Sequence, residues 1–186
     1  MRHGILKFAI ALSVYALLSA NHAQAEEGFW KSADIFNRKK GVQPVSNASW
    51  AQECSACHFA YQPGLLPGNS WDKLLTPTAL HNHFGEVADL DAGTLKKIRD
   101  YALDNAAEKS SFKLSRKITV ATENVEAPLR ITDVRVIRRK HHDIPERMIK
   151  GNKDVRSLSN CEACHTGAEK GRYDSDAVLI PNYPNY

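Results

Sequence analysis

The sequence predicts a mainly α-helical fold with a few short strands or extended segments, arranged as two small domains. The clearest helical pattern covers residues 92–107, where apolar side chains recur every three or four positions. Residues 117–120 and 131–136 instead alternate β-branched side chains with polar ones, which is typical of strands. We place the domain boundary at this change of pattern, with residues 26–110 on one side and 111–186 on the other.

The first 25 residues have the pattern of a secretory signal. Arg2 and Lys7 supply positive charge, residues 8–20 form an apolar run, and Ala23-Gln24-Ala25 offers small residues for cleavage. The apolar run is shorter than the stretch of about 20 residues that a membrane-spanning helix needs, so a retained anchor is the less favoured alternative. We therefore expect a chain exported to the periplasm, with no stable membrane span after cleavage.

The charge of the chain gives no support for nucleic acid binding. The formal net charge is +4 and falls to +2 when Arg2 and Lys7 are removed. Basic clusters occur at residues 38–40 and 138–140. Such short clusters are more often solvated faces than binding patches, and this is the interpretation that the sequence favours.

All four cysteines fall in two copies of one motif, C-x-x-C-H. The first copy is Cys54-Ser55-Ala56-Cys57-His58 and the second is Cys161-Glu162-Ala163-Cys164-His165. Each copy supplies two thiols, which can bond the two vinyl groups of one porphyrin, and an imidazole that can reach its iron from the same turn. We therefore predict two cytochrome-c-like haem domains packed around two covalently bound haem c groups.

Two other interpretations of the cysteines are weaker. A zinc site built from both pairs would enclose a loop longer than 100 residues and would need no histidine after each pair. A thioredoxin-type redox pair would need a strand–helix context, and one copy would be enough. In the haem interpretation Cys54, Cys57, Cys161 and Cys164 attach the porphyrins, while His58 and His165 are the proximal iron ligands.

The ligand on the opposite face of each iron decides what each haem can do. Residues 26–186 contain one methionine, Met148, so at most one iron can have a methionine ligand. The remaining histidines form two pairs, one pair near each motif: His81 and His83, and His141 and His142. One ligand from each pair would give bis-histidine coordination at both irons, whereas Met148 at the second iron or an open site are the alternatives.

The predicted coordination separates two classes of function. Two imidazoles on each iron leave no position for oxygen or peroxide, so the chain would pass single electrons and would not be an enzyme. The alternative is a small dihaem enzyme, such as a peroxidase or an oxyanion reductase, and it requires one open iron. We see no catalytic triad or phosphate-binding loop in the sequence.

Three polar residues predict where short helices begin. Ser49, with Gln52 three residues later, has the spacing of a capping box before the first motif. Ser70 has the position of a cap for a helix beginning at Trp71, and Asp154 for the segment that carries the second motif.

These motifs and the segments around them resemble the dihaem cytochrome c family, abbreviated DHC. The resemblance covers most of residues 26–186 in order, and the leucine–proline and His-Phe-Gly segments are more specific than C-x-x-C-H alone. Besides the two motifs, the segments that carry the likeness are Tyr61-Gln62-Pro63-Gly64-Leu65-Leu66-Pro67, Ser70-Trp71, His83-Phe84-Gly85-Glu86, Arg130-Ile131-Thr132 and Lys140-His141-His142-Asp143-Ile144-Pro145.

The resemblance implies a two-domain, bis-histidine, periplasmic protein. By the same resemblance the distal ligands are His83 for the first haem and His141 for the second, with His142 as the alternative to His141. A swap of the two distal histidines between the haems is the alternative pairing. The family's role implies an oxygen-binding monohaem cytochrome c as electron acceptor and a membrane cytochrome b, fed by quinol, as donor.

Overall fold

The helices of this protein are short, and most of them are joined by tight turns. The structure is a computed structural model, and it describes residues 39–185. The predicted signal segment, residues 1–25, lies outside the described residues. The helices in the described part are α1 (Ala48–Cys54), α2 (Gly68–Leu74), α3 (Pro77–His81), α4 (Ala92–Asp104), α5 (Lys113–Thr122), α6 (Arg135–His141), α7 (Glu146–Ile149) and α8 (Cys161–Cys164). Single 3₁₀ turns lie at Pro63–Leu65, Ala107–Lys109, Ile131–Asp133, Ala168–Lys170 and Ser175–Ala177.

The mainly helical fold class is confirmed, but the two predicted strands are wrong. Residues 117–120 lie within α5, and residues 131–136 form a 3₁₀ turn followed by the start of α6. Within residues 39–185, β pairing is limited to two isolated bridges, His83 with Glu86 and His165 with Val178. Residues 115, 118, 121 and 122 of α5 are buried at helical spacing, so packing of one helix face outweighs the β propensity of its branched side chains.

Two of the predicted helix starts are also wrong, each for a local reason. The first helix begins earlier because the Asn47 side chain, and not Ser49, accepts a hydrogen bond from the Trp50 amide. Helix α2 begins at Gly68, two residues before the predicted cap, because the carboxylate of Glu108 accepts a hydrogen bond from the Gly68 amide.

Helix α4 begins where the helical pattern starts, whereas the helix that carries the second motif does not begin at its predicted cap. Asp91 is the N-cap of α4, and its carboxylate accepts hydrogen bonds from the amides of Gly93 and Thr94. Helix α8 begins at Cys161, directly after Asn160, so Asp154 does not cap it.

The main apolar core lies among α1, α2, α4 and α5. Its largest fully buried side chains include Trp50, Leu65, Ile98 and Ile118, and the last buried member along the chain is Val134. The buried apolar residues after that point lie outside this cluster: Met148, Ile149, Val155, Ala168 and Ile180. The segment that carries the second motif is therefore outside the main protein core.

Two glycines connect the two ends of the described chain. The Val42 amide donates to the Gly171 carbonyl at 2.9 Å, and Gly41 and Gly171 both have φ near +70°. A Cβ atom at Gly171 would lie 2.1 Å from the Val42 carbonyl oxygen, so only glycine fits this close approach. Residues 39–185 form one compact unit, and the predicted boundary after residue 110 stays a prediction.

Candidate haem sites

The first motif is held by an aromatic anchor on α1. Trp50 is buried, its indole N–H donates to the Tyr61 carbonyl at 3.0 Å, and its ring packs edge-to-face on Trp71. Cys54 ends α1, and Cys57 and His58 follow in the next turn. The anchor therefore fixes the turn that carries both thiols and the proximal imidazole.

His83 faces His58 across a gap. The centres of the two imidazole rings are 6.2 Å apart, and the ring planes differ by 24°. His83 is placed by a tight turn, in which the His83 amide donates to the Glu86 carbonyl at 2.7 Å. Phe84 has φ of 58° and Gly85 has φ of 103° within this turn, which accounts for the glycine of the His-Phe-Gly segment.

The two imidazoles of the first site differ in their hydrogen bonding. His58 donates from Nδ1 to the Phe59 carbonyl at 2.7 Å, which leaves Nε2 free to bind iron. Nδ1 of His83 is buried and has no hydrogen-bond partner. Burial lowers the pKa of His83, and the nearby His58 and Arg130 lower it further, so its neutral form is favoured.

The second motif is held by the C-terminal tail. The Leu179 amide donates to the Cys164 carbonyl at 3.0 Å, and His165 pairs with Val178 in an isolated bridge. The tail is itself fixed by Asn152, a buried residue whose side-chain amide donates to the Pro181 carbonyl at 2.7 Å. The tail segment therefore lies over the second motif and orders it.

His141 faces His165 in the second site. The ring centres are 6.1 Å apart, close to the spacing in the first site, but the planes differ by 72°. His141 ends α6 and donates from Nδ1 to the Ile137 carbonyl one turn earlier, at 2.8 Å. Burial lowers the pKa of His165, with His141 as a second cause, so this imidazole also favours its neutral form.

The two histidines that compete for the distal positions are engaged elsewhere. His81 is exposed, and its Nδ1 lies 3.0 Å from a carboxylate oxygen of Asp89. His142 donates from Nδ1 to the Arg139 carbonyl, and its Nε2 lies 3.1 Å from a carboxylate oxygen of Asp143. Met148 is buried in α7. The structure therefore places His83 opposite His58, and His141 opposite His165.

The spacing of both imidazole pairs fits an iron ion between them. A bond from a metal to an imidazole nitrogen is about 2 Å long, so two such bonds occupy about 4 Å of each gap. The remaining 2 Å or so of the 6.2 Å and 6.1 Å separations matches twice the distance from an imidazole centre to its nitrogen, about 1.1 Å on each side. The buried, unpartnered Nδ1 of His83 is consistent with a ring oriented by iron and not by a protein acceptor.

The surroundings of three of the four thiols do not suit a thiol redox centre. The four cysteines form no disulfide. Burial raises the pKa of Cys54 and of Cys161 to about 12, and it also raises the pKa of Cys164. Thiol–disulfide catalysts need the opposite, a lowered pKa that exposes a thiolate near neutral pH. Within residues 39–185, no three His, Cys, Asp or Glu side chains are grouped to hold a metal ion by themselves.

Side chains that the sequence analysis did not assign connect the two sites. The Tyr61 ring lies 5.0 Å from the His58 ring, and its hydroxyl donates to the Ser159 carbonyl beside the second motif. Gln62 is fully buried and accepts a hydrogen bond from the Tyr173 hydroxyl at 2.7 Å. The Tyr173 ring in turn packs 5.4 Å from His165. The Tyr61-Gln62 pair occurs in a segment that carried the family likeness, but its role depends on contacts about 100 residues away.

The fold and the two sites together define a c-type cytochrome. Comparison with protein families identifies which one: the chain belongs to the dihaem cytochrome c family, whose model matches residues 50–173. The resemblance stated from the sequence is confirmed, and so is the cofactor, because membership of this family implies two haem c groups with iron. The predictions of individual attachment and ligand residues stay predictions.

Solved structures give the same class. The chain is 36% identical to a dihaem cytochrome c from Shewanella baltica OS155, with 75% of this chain and 97% of that chain covered and a TM-score of 0.61. It is 40% identical to a dihaem cytochrome c from Rhodobacter sphaeroides, with 71% and 100% covered and a TM-score of 0.61. Comparison with curated proteins finds no match.

The family membership makes this chain a haem-based electron-transfer protein. No helix in the described part of the chain is both long enough and apolar enough to cross a membrane.

Proposed function

We propose that this protein is a periplasmic electron carrier that shuttles single electrons through two bis-histidine haems and catalyses no reaction of its own. In this proposal Cys54 and Cys57 attach the first haem, and His58 and His83 ligate its iron. Cys161 and Cys164 attach the second haem, and His165 and His141 ligate its iron. Bound haem supplies a one-electron iron couple whose potential depends on the axial ligands and their surroundings.

The observation that carries the proposal is the pair of facing imidazoles at each site. Ring-centre separations of 6.2 Å and 6.1 Å suit an iron held on both faces. An iron with both axial positions filled has no place for a substrate, and its geometry changes little when an electron is gained or lost. The contacts of Tyr61 and Tyr173 with the proximal histidines join the two sites, which supports transfer of electrons between them.

The partners and the location belong to the same proposal. We expect a membrane quinol-oxidising cytochrome b to reduce the protein and a soluble haem protein, such as an oxygen-binding monohaem cytochrome c, to oxidise it. The N-terminal signal pattern and the C-x-x-C-H motifs support export, because haem c attachment of this kind goes with an exported chain.

Carbon monoxide titration of the reduced protein tests the proposal. A carrier with four imidazole ligands should bind carbon monoxide at neither iron, and the oxidised protein should lack the near-infrared band of methionine bound to iron. Stoichiometric carbon monoxide binding by freshly purified protein would instead support the dihaem enzyme, because an open or easily displaced position would then exist. Equilibration of the protein with redox dyes should show that two electrons are taken up per chain.

A further inference from the structure

An open groove lies beside Phe84, the residue that follows His83. It has a volume of about 640 Å³ and is lined by the end of α5, the segment 125–130 and the first part of α6. The side chains on its apolar part are more exposed than is usual for their type, at 44–56% of their full surface. They are Phe84, Val125 and Leu129.

The groove has an unpaired basic rim. Arg130, Arg135 and Arg138 line it, and Arg139 and Lys140 extend the row along α6. None of these five cations forms an ion pair with another residue of the range 39–185. Cations without an ion-pair partner in this range can attract an external anion.

The carboxylates of the groove do not cancel this charge. Glu126 and Asp133 also line it, but Glu126 already lies 3.8 Å from the ammonium group of Lys73. Asp133 lies in the 3₁₀ turn just before α6. The groove therefore has a positive excess around an apolar floor, which is the complement of an acidic surface with an apolar centre.

The groove contacts the first distal imidazole through Phe84 and shares helix α6 with the second. The centre of the Phe84 ring lies 4.9 Å from the centre of the His83 ring, and the Arg130 guanidinium lies over the Phe84 ring, 3.9 Å from its centre. Arg138 is one turn before His141 on α6, so the basic rim continues to the distal ligand of the second site.

We propose that this groove, formed by Phe84, Val125, Leu129 and the arginines of its rim, is the docking surface for an acidic one-electron redox protein. The proposal rests on the electron-carrier function and adds to it the face of the molecule and the charge of the partner. The acidic rim of the partner would pair with Arg135 and Arg138, and its apolar cofactor edge would lie over Phe84. The proposal differs from the sequence interpretation of residues 138–140 as a solvated face.

Stopped-flow reduction of the two-haem protein tests the docking surface. The probe is flavodoxin hydroquinone, an acidic flavoprotein that donates one electron at a time. The second-order rate constant for the unchanged chain should fall as salt is added, because opposite charges steer the encounter. The double variant Arg135→Glu/Arg138→Glu should be reduced about tenfold more slowly at low salt.

A second variant separates local docking from overall charge. Lys97→Glu/Lys109→Glu makes the same change in net charge at exposed lysines that do not line the groove, and its rate should change less than about twofold. Equal loss of rate in both double variants, or in neither, would overturn the proposal. Leu129→Ser, which keeps the charge and removes apolar surface, should also slow the reaction.

Two further measurements distinguish failure of the docking proposal from failure of the electron-carrier function. Reduction by neutral photoreduced lumiflavin should be the same in every variant; if it reduces no haem even in the unchanged chain, the electron-carrier function itself fails. If vesicles of anionic phospholipid bind the protein through Arg135 and Arg138 while flavodoxin reacts equally with all variants, the groove is a membrane-binding face, and the docking proposal is wrong.

Discussion

The two haem sites of this protein have similar imidazole spacings but very different surroundings. The first site lies against the main apolar core, with Trp50 and Trp71 anchoring its motif. The second site is carried by α8, a helix of four residues, and is held by backbone hydrogen bonds to the C-terminal tail. The comparison leads us to expect that apolar packing stabilises the first site, whereas the second site, held by the tail, gains more of its stability from bound haem.

The sites also differ in how they orient their imidazoles. The ring planes differ by 24° in the first site and by 72° in the second. The distal imidazole of the first site has a buried Nδ1 without a partner and a guanidinium nearby, while that of the second site donates to the Ile137 carbonyl. Hydrogen bonds and charges close to the axial ligands tune a haem potential, so the two haems should have different potentials.

The largest expected effect is on folding. Replacement of Cys161 and Cys164 by serine removes the attachment of the second haem, and we expect amide exchange in residues 142–185 to accelerate by at least about a hundredfold. Residues 92–122 should keep their protection, because the core of α4 and α5 does not include the second site. Hydrogen exchange measured by mass spectrometry would check this.

The matched double variant removes the attachment of the first haem instead of the second. In Cys54→Ser/Cys57→Ser the second haem is still attached, so residues 142–185 should stay protected while the first motif loosens. Equal loss of protection over the whole range 39–185 in both variants would contradict the account, because the two sites would then be one cooperative unit.

The next effect is on ligation. His83→Ala and His141→Ala should each create one iron that binds carbon monoxide, at about one equivalent per chain, because the only distal imidazole has been removed. His81→Ala and His142→Ala are the controls, since these side chains are engaged with Asp89 and Asp143. Carbon monoxide titration of the four reduced variants would check the assignment, and binding in either control would show that the distal ligand has been misassigned.

A smaller effect is expected on the potential of one haem. Arg130→Gln removes a cation near His83, and a cation favours the reduced iron, so the potential of the first haem should fall by a few tens of millivolts. Arg130→Lys keeps the charge and should restore most of that loss. Potentiometric titration followed by spectroscopy would measure both, and an equal shift of both haems would remove the distinction between the sites.

Local features of these sites could be predicted from the sequence. The attachment cysteines and the proximal histidines lie within five consecutive residues, so no knowledge of the fold was needed to propose them. Helix α4 begins at Ala92, where the predicted helical pattern starts, because the cap bonds of Asp91 are made within three residues. Features that depend only on residues close together in the sequence could therefore be predicted.

Features that depend on distant contacts could not be predicted in the same way. The start of α2 depends on Glu108, 40 residues away, and the helical state of residues 117–120 depends on burial of one face of α5. The contact that joins the two sites depends on the Tyr61 hydroxyl and the Ser159 carbonyl, which are 98 residues apart in the sequence.

The most direct test of the account is electron paramagnetic resonance of the oxidised protein at low temperature. Parallel imidazole planes separate the iron d orbitals that each ring overlaps, whereas crossed planes leave them nearly equal in energy. We therefore expect two low-spin signals of equal intensity, a rhombic one from the site with His58 and His83 and a strongly axial one from the site with His141 and His165. A high-spin signal accounting for one iron per chain would contradict the claim that imidazoles hold both irons on both faces.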